Sequence, residues 1–319
     1  MYKSSGTTVR QELNDIVLEY ANDLNPQFMS LDILPIKNTD FKSGTFGKLP
    51  IENVTNESGT GLKAPGSGYS RQNSSYENDN FTCVKYGFEE EIDDDESLEA
   101  EAYFNMEISA AQLNFFRLKR AAEIRNAALL FNTSNFSGHT GNVTTEWSST
   151  SGVPISDVQG KILTLKQAVG GALGDVEICM ACSEKVFRNV IKTTEVKAAI
   201  MGGSGSMADK VLNADNIGAA RLADILGINQ VFYSAAQNGG SDVWDDEYAL
   251  LFIRSTSDIL RSSVQLGRTF LWTKSTPNYS TTETYRSEQV EANIVRVKHS
   301  VDEKIFNFAA GYLFQNITA

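Results

Sequence analysis

The sequence predicts an α+β protein in which one long helix joins an extended hairpin to a compact α/β lobe. Apolar residues recur at helical spacing over residues 97–131, which at 1.5 Å per residue is a helix of about 50 Å. Two stretches of alternating apolar residues flank a Gly- and Pro-dense tip within 39–85, a pattern typical of a hairpin. Helix and strand patterns then alternate over 153–274.

Composition limits the kind of protein this is. The chain has 319 residues, enough for one large or two modest domains, and a formal net charge of -12. Such acidity argues against binding nucleic acid through clustered Lys and Arg, and against docking on an anionic membrane. No stretch has the length and apolarity of a signal peptide or a membrane span, so we expect synthesis in a cytosol.

Residues 1–38 are expected to form an arm, with a short helix at roughly 9–22. The hairpin of 39–85 follows, with Phe46 on one strand, Phe81 on the other and the tip SGTGLKAPGSG between them. About 20 residues per strand would reach some 65 Å from the base of the hairpin. A single domain cannot bury such an arm within itself, so we expect it to lie on a neighbouring molecule.

An acidic run precedes the long helix, with nine carboxylates between Glu89 and Glu101 and no Lys or Arg among them. Residues 93–101 fall at the predicted helix start, where carboxylates cap free N–H groups and complement the helix dipole. A capped, solvated helix end is therefore the favoured interpretation. A cation site is the alternative, although the D-x-[DN]-x-[DN]-G pattern of a calcium loop is absent.

The lobe of 153–274 is predicted to contain a buried strand, DVEICMA, a helix capped by Ser183, and a helix that turns at Gly227 into a strand. The loop MGGSGSM follows the second of its helices. The tail alternates Ile294, Val295 and Val297, then Ile305, Phe306 and Phe308, which predicts two antiparallel strands returning to the long helix.

Catalytic and metal-binding patterns find little support. Cys179 and Cys182 lie three apart on a predicted strand, so they should point to opposite faces as buried thiols. His139 and His299 are interpreted as turn or surface histidines, and no P-loop or dinucleotide fingerprint is present. We therefore expect no cofactor, no metal and no enzyme activity. The acidic residues of WDDE and nearby Asp242 keep one alternative open, a carbohydrate-processing enzyme with paired carboxylates: Asp242, Asp245, Asp246 and Glu247.

The order of elements resembles that of tailed-bacteriophage major capsid proteins with the Hong Kong 97-like fold. The segments that carry the resemblance are CVKYGFEEEIDDDE, AAEIRNAALLFN, LADILGINQVFYSAA, ALLFI and VRVKHSVDEKIFNFAAGYLFQN. The resemblance covers nearly the whole chain and rests on the order of the elements.

The resemblance implies a division into parts. It makes 1–38 an N-arm, 39–85 the extended loop, 86–152 with 275–319 a peripheral domain containing the spine helix 97–131, and 153–274 an axial domain. Copies would assemble as hexamers and pentamers into an icosahedral shell around double-stranded DNA. Axial-loop candidates at the symmetry centres are Gly202, Gly203, Ser204 and Gly205. Candidate contacts between subunits are Phe46, Lys48, Leu62, Lys63, Tyr69, Arg71, Glu89, Glu90, Asp93, Asp94 and Asp95.

Partners and location follow from the same resemblance. The acidic run would meet basic residues of another copy, with Lys37, Lys42, Lys48, Lys63 and Arg71 as candidates. Because the chain begins almost at the arm, we expect a separate scaffolding protein, besides a portal and possibly a decoration protein. Packaged DNA would make only weak, non-specific contact, and no membrane is involved. The location would be the virion capsid, after synthesis in the host bacterial cytoplasm. An encapsulin-like nanocompartment shell shares the fold and is the nearest alternative.

Overall fold

The computed structural model describes residues 8–24, 28–48, 62–63, 65–69, 77–100, 105–169, 177–201, 218–255 and 264–318. The helices are α1 Gln11–Leu24, α2 Ser30–Ile33, α3 Asp94–Ala100, α4 Met106–Leu130, α5 Pro154–Ala168, α6 Glu184–Lys192, α7 Thr194–Met201 and α8 Ala219–Leu226. The strands are β1 Thr8–Val9, β2 Ile36–Thr39, β3 Ser43–Lys48, β4 Glu77–Thr82, β5 Val84–Asp93, β6 Thr140–Asn142, β7 Glu177–Ser183, β8 Gln230–Ser234, β9 Gln237–Asn238, β10 Ser241–Asp242, β11 Ala249–Arg254, β12 Gly267–Trp272, β13 Thr281–Ser287, β14 Ala292–Ile305 and β15 Gly311–Gln315.

The first sheet is built on β14, which pairs antiparallel with β13, β12 and β5. Its strand order is β1-β13-β14-β12-β2, with β5 attached to β14. Helix α4, called the long helix below, packs on one face of this sheet. Val295 and Val297 of β14 are fully buried there together with Phe115 and Leu118 of the helix. Val17 of α1 joins the same core, so this part of the predicted arm is held within the chain.

The second sheet has the order β6-β15-β11-β7-β8 and carries helices α5, α6 and α8. Its strand β11 is buried along nearly its whole length, as a strand covered on both faces must be. Cys179 and Cys182 of β7 are free thiols that enter two different cores, one on each side of the sheet. This arrangement confirms the prediction that the two thiols point to opposite faces.

Local predictions in this lobe are confirmed where the signal was a cap or a turn. The Ser183 hydroxyl accepts a hydrogen bond from the Val186 N–H at 3.2 Å and begins α6. Gly227 ends α8 with a φ of 74°, a left-handed conformation that glycine adopts without steric cost.

The predicted helix 97–131 is wrong at its start. Within the described residues α3 spans Asp94–Ala100, and the long helix begins separately at Met106. Asn105 between them is extended, with φ -86° and ψ 108°, and its side chain accepts a hydrogen bond from the Ile108 N–H. A residue that caps a helix has non-helical backbone angles, so a helix cannot continue through it.

The tail also departs from the prediction. The two predicted strands are one continuous strand, β14, and Phe308 lies in a short 3-10 turn after it. The chain then enters the second sheet as β15, beside β11. Likewise β12 belongs to the first sheet although its residues fall in the predicted axial segment. Sheet membership therefore crosses the predicted domain boundaries.

His299 is fully buried, which corrects its interpretation as a surface histidine. It lies on the face of β14 that packs against the long helix. Searched over the described residues, the helices include none with both the length and the apolarity needed to cross a membrane.

Candidate functional site

Aromatic rings from both strands fix the base of the hairpin. Strands β3 and β4 pair antiparallel from Ser43 opposite Thr82 to Lys48 opposite Glu77, which confirms the hairpin at its base. The Phe46 ring lies 5.0 Å from Phe270 and 4.7 Å from Phe306, and the Phe81 ring stacks on Phe270 at 4.5 Å. Phe46 is 8% exposed, so its ring is largely covered within its own chain, and its predicted contact between subunits stays a prediction.

The tip of the hairpin is described at a few positions only. Leu62 is 88% exposed, and the Lys63 ammonium lies 4.5 Å from the centre of the exposed Tyr69 ring. These three residues are accessible to another copy, and their contact role remains a prediction. Five other candidates lie outside the described residues: Arg71, Gly202, Gly203, Ser204 and Gly205. For Lys48 the structure describes the backbone but not the side chain.

The acidic run lies mostly on a strand, not at the start of the long helix. Residues 84–93 form β5, which pairs with β14 along its whole length. Only Asp94, Asp95 and Glu96 occupy a first helical turn, that of the short α3. The pairing with β14 overrides the local helix-start signal because its ladder of backbone hydrogen bonds continues to the end of β5 at Asp93.

Three of the five acidic contact candidates already have arginine partners within the chain. The pairs are Glu89–Arg296 (2.5 Å), Glu90–Arg117 (3.0 Å) and Asp94–Arg286 (2.7 Å). The Arg286 guanidinium binds both carboxylate oxygens of Asp94 and lowers the pKa of that carboxyl. Glu89 also accepts a hydrogen bond from the Tyr285 hydroxyl at 2.9 Å. These carboxylates hold β5, α3 and the long helix onto the first sheet.

The other carboxylates of the run that the structure describes are exposed. In the part of the chain that the structure describes, none of them forms an ion pair, and Asp93 accepts only the N–H of Asp95, at 2.8 Å. We call this stretch of strand end and short helix the acidic segment; its members are Glu91, Asp93, Asp95, Glu96 and Glu99. The predicted contact role of Asp93 and Asp95 is compatible with this exposure and is not tested by it.

One face of the long helix remains uncovered. Leu113 is 42% exposed and Ile124 is 38% exposed, and eleven residues, or about three turns, separate them on the same side. Arg120 lies between them with its guanidinium 4.5 Å from the centre of the Phe116 ring. The first sheet, helix α1 and the segment 28–33 cover the rest of the long helix, so the uncovered face is narrow.

Beneath the long helix lies a group of buried charged residues that the sequence analysis missed. The Glu123 carboxylate accepts hydrogen bonds from the Ser30 N–H at 2.8 Å and from the Trp244 indole N–H at 2.6 Å. Burial raises the pKa of Glu123 and lowers that of Lys119 to about 8. Their i, i+4 spacing on an otherwise apolar stripe was the available signal.

His299 occupies the same layer between the sheet and the long helix. Its ring lies between those of Tyr86 and Tyr279, and its Nε2 is 3.3 Å from Arg125 Nη2. Burial and the positive charges of Arg125 and Lys119 lower the pKa of His299 to about 3. The histidine is therefore neutral and serves packing, not acid–base chemistry.

The acidic residues proposed for an enzyme alternative have structural partners, and three of them, Asp242, Asp246 and Glu247, lie around the Lys185 ammonium. Asp245 accepts the Glu247 N–H, while Asp246 accepts from Ser183 and pairs with Lys185. Asp242 borders a cavity of about 360 Å³ whose other charged residues lie on α6. No group of three potential metal ligands is present within the described residues.

Comparison with known proteins supports the fold. No protein-family model and no curated protein matches the chain. A crystal structure of a phage-related protein from Bordetella bronchiseptica RB50 superimposes with a TM-score of 0.68 and 15% identity, covering 98% of each chain. The virus-like particle from Pyrococcus furiosus superimposes with a TM-score of 0.56 and 11% identity, covering 96% of this chain and 98% of that one. The capsid of cyanophage P-SCSP1u superimposes with a TM-score of 0.55 and 10% identity, covering 99% of this chain and 90% of that one.

Identities this low establish architecture alone, and they do so over nearly the whole length of each chain. The chain therefore has the Hong Kong 97-like fold that the resemblance predicted, and it shares that fold with the phage-related protein and the cyanophage capsid.

Proposed function

We propose that this chain is the major capsid protein of a tailed bacteriophage. It would assemble as hexamers and pentamers into an icosahedral shell that encloses double-stranded DNA. The observation that carries the proposal is the likeness to capsid structures, which covers 99% of this chain in one case and 91% in another. The role is structural and not enzymatic.

Three surfaces support assembly. The hairpin is anchored at its base by rings of its own chain, while Leu62 and Tyr69 at its tip are exposed. The long helix has an uncovered apolar face. The acidic segment is exposed, and within the described residues it forms no ion pair. An isolated subunit that exposes apolar and single-sign surfaces is expected of a protein that functions by packing against copies of itself.

The finer assignments belong to the same proposal. Residues 1–38 are the N-arm, 39–85 the extended loop, 86–152 with 275–319 the peripheral domain and 153–274 the axial domain, with 202–205 near the symmetry centres. A separate scaffolding protein, a portal and a decoration protein are the proposed partners, and DNA makes weak, non-specific contact. Synthesis takes place in the host bacterial cytoplasm, and the mature location is the virion.

A second candidate is a nanocompartment shell of the encapsulin type, which encloses cargo in place of a phage genome. The likeness to the Pyrococcus furiosus virus-like particle supports this candidate, because its TM-score of 0.56 is close to the 0.55 of the cyanophage capsid. Recovery of particles with a co-purifying cargo protein and without packaged DNA would select this candidate.

Particle-size distributions test the proposal. The full chain and a variant lacking residues 55–70 are purified and imaged by negative-stain electron microscopy. We expect rings or shells from the full chain and fewer or smaller particles from the deletion variant, because the loop tip would no longer reach a neighbour. A full chain that stays monomeric at high concentration, with or without the proteins encoded beside it, contradicts the proposal.

A further inference from the structure

An aromatic and basic surface lies beside the base of the hairpin, in a chain whose net charge is -12. Phe41 is 69% exposed, an unusual state for a large aromatic side chain. The Lys274 ammonium lies 5.9 Å from the centre of its ring, and the Lys85 ammonium lies 5.9 Å from the centre of the Trp272 ring. The Trp272 indole N–H donates a hydrogen bond to the Asp40 carbonyl at 3.2 Å, which links the Trp272–Lys85 pair to the neighbouring Phe41–Lys274 pair.

The cations of this surface are available to a partner. Lys42 follows Phe41, and its carbonyl accepts the Cys83 N–H at 2.8 Å, which fixes the backbone beside Lys85. Over the residues that the structure covers, Lys42, Lys85 and Lys274 form no ion pair. We call Phe41, Lys42, Lys85, Trp272 and Lys274 the aromatic–lysine patch.

The acidic segment lies at the other end of the same strand. Lys85 and Asp93 are eight residues apart on β5, which places them on the same face of the strand and about 26 Å from each other. Pairing of β5 with β14 is unbroken over this whole length, so the two ends of the strand are held apart. The patch therefore cannot reach the acidic segment of its own chain, although the two surfaces are complementary in charge.

We propose that the aromatic–lysine patch of one copy binds the acidic segment of the next copy. The inference rests on the proposed function and names one of its contacts. Because the two surfaces are different and lie at opposite ends of one rigid strand, the contact is head to tail. Such contacts form closed rings when the rotation between copies closes, and hexamers and pentamers are rings of this kind.

Charge exchange tests the contact. The lysine variant carries K42E, K85E and K274E, the acid variant carries E91K, E96K and E99K, and the exchange variant carries all six changes. Each single-surface variant should assemble at least about tenfold less than the natural chain, because like charges then face each other. The exchange variant should recover assembly, since the charges are complementary again with the sign reversed.

Mixing gives a sharper expectation. The lysine variant and the acid variant attract each other but not themselves, so an equimolar mixture should form rings with even numbers of copies and no pentamers. The control variant K166E/K192E/K197E has the same change in net charge away from the patch and should assemble as the natural chain does. Circular dichroism melts of every variant separate lost contacts from lost folding.

Cross-linking of the natural chain provides a measurement without substitutions. A mixture of nitrogen-15-labelled and unlabelled chains is treated with a carbodiimide, which joins lysine to carboxylate without a spacer. We expect mixed-label peptides that join Lys42, Lys85 or Lys274 to the acidic segment.

The possible outcomes distinguish the two proposals. If the natural chain assembles and the lysine variant assembles equally well, the patch contact is overturned and the shell function stands. If the lysine variant assembles normally but retains less nucleic acid, the patch serves a polyanion and this proposal is also overturned. A natural chain that never assembles overturns both.

Discussion

Glu123 joins three distant parts of the chain through one buried carboxylate. It lies on the long helix and accepts hydrogen bonds from the backbone of Ser30 and from Trp244. Burying the carboxylate costs free energy, and the hydrogen bonds from both donors offset that cost. The two donors are buried as well, so each of them needs the carboxylate as its acceptor. The residue therefore ties the segment after the arm helix to the core.

Replacing Glu123 tests this role. We expect Glu123→Ala to lower the free energy of unfolding by about 3–5 kcal/mol, because two buried donors lose their acceptor. Glu123→Gln retains one acceptor oxygen and should cost less. Exposed Glu99→Gln is the matched control and should stay within about 0.5 kcal/mol. Urea denaturation provides the values, and equal losses for the Ala and Gln variants would contradict the shared-acceptor role.

His299 makes stability depend on pH in a definite direction. Its pKa is lowered from 6.5 to about 3 in the folded chain. Between these values the unfolded chain binds a proton that the folded chain does not, so stability falls as pH falls below 6.5. The loss contributed by this residue approaches about 1.4 kcal/mol per pH unit.

Urea denaturation of the natural chain and of His299→Gln between pH 6.5 and 4.5 isolates this contribution. Glu123 and Asp32 have raised pKa values and act in the opposite sense, but they are common to both proteins. We expect the natural chain to lose more stability than the variant over this range. Parallel pH profiles would show that the imidazole is protonated in the folded state as well.

At the scale of elements, the separation of α3 from the long helix depends on Asn105. Its side chain accepts the Ile108 N–H at 3.2 Å, and it immediately precedes Met106, the first residue of the long helix. A side-chain cap satisfies one of the backbone donors that a helix start leaves free.

Substitution of the cap gives a measurable loss. Asn105→Ala should destabilise the chain by about 1 kcal/mol, whereas Asn105→Asp keeps an acceptor oxygen and should be nearly neutral. Thermal melts compare the two variants. An alanine variant as stable as the natural chain would indicate that the helix start does not depend on this cap.

At the scale of the whole molecule, the long helix is covered by the first sheet, by α1 and by the segment 28–33, and one narrow face stays exposed. Leu113 and Ile124 mark the exposed side, whereas Phe115 and Leu118 are buried against β14. In the proposed shell a second copy packs on this exposed face.

The double variant Leu113→Asp/Ile124→Asp separates folding from assembly. Because both side chains are already in contact with water, we expect the free energy of unfolding of the subunit to change by less than about 0.5 kcal/mol per site. The assembled fraction should fall, because two carboxylates would be buried in the contact between copies. Sedimentation velocity measures the fraction, and unchanged assembly would exclude this face from the shell contacts.

The sequence predicted those elements whose signal is local. The Ser183 cap, the turn at Gly227 and the opposite faces of Cys179 and Cys182 follow from side chains within a few residues of each other, and all are confirmed. The hairpin was predicted from alternating apolar residues, and its base pairs as expected. Element order was sufficient for the resemblance to the capsid fold.

Residues whose partners are distant in the chain were assigned by tertiary structure alone. Nothing in the local sequence distinguishes the paired carboxylates of the acidic run, Glu89, Glu90 and Asp94, from the unpaired ones, Glu91, Asp95 and Glu96. Within the described residues only the first three bind arginines, each more than 25 positions away in the chain. The same holds for the burial of Phe46, His299 and Glu123, and for the strand β15 that leaves the first sheet for the second. Local periodicity determined which segments form helices and strands, whereas long-range packing decided which charges are paired inside the chain and which remain exposed for another copy.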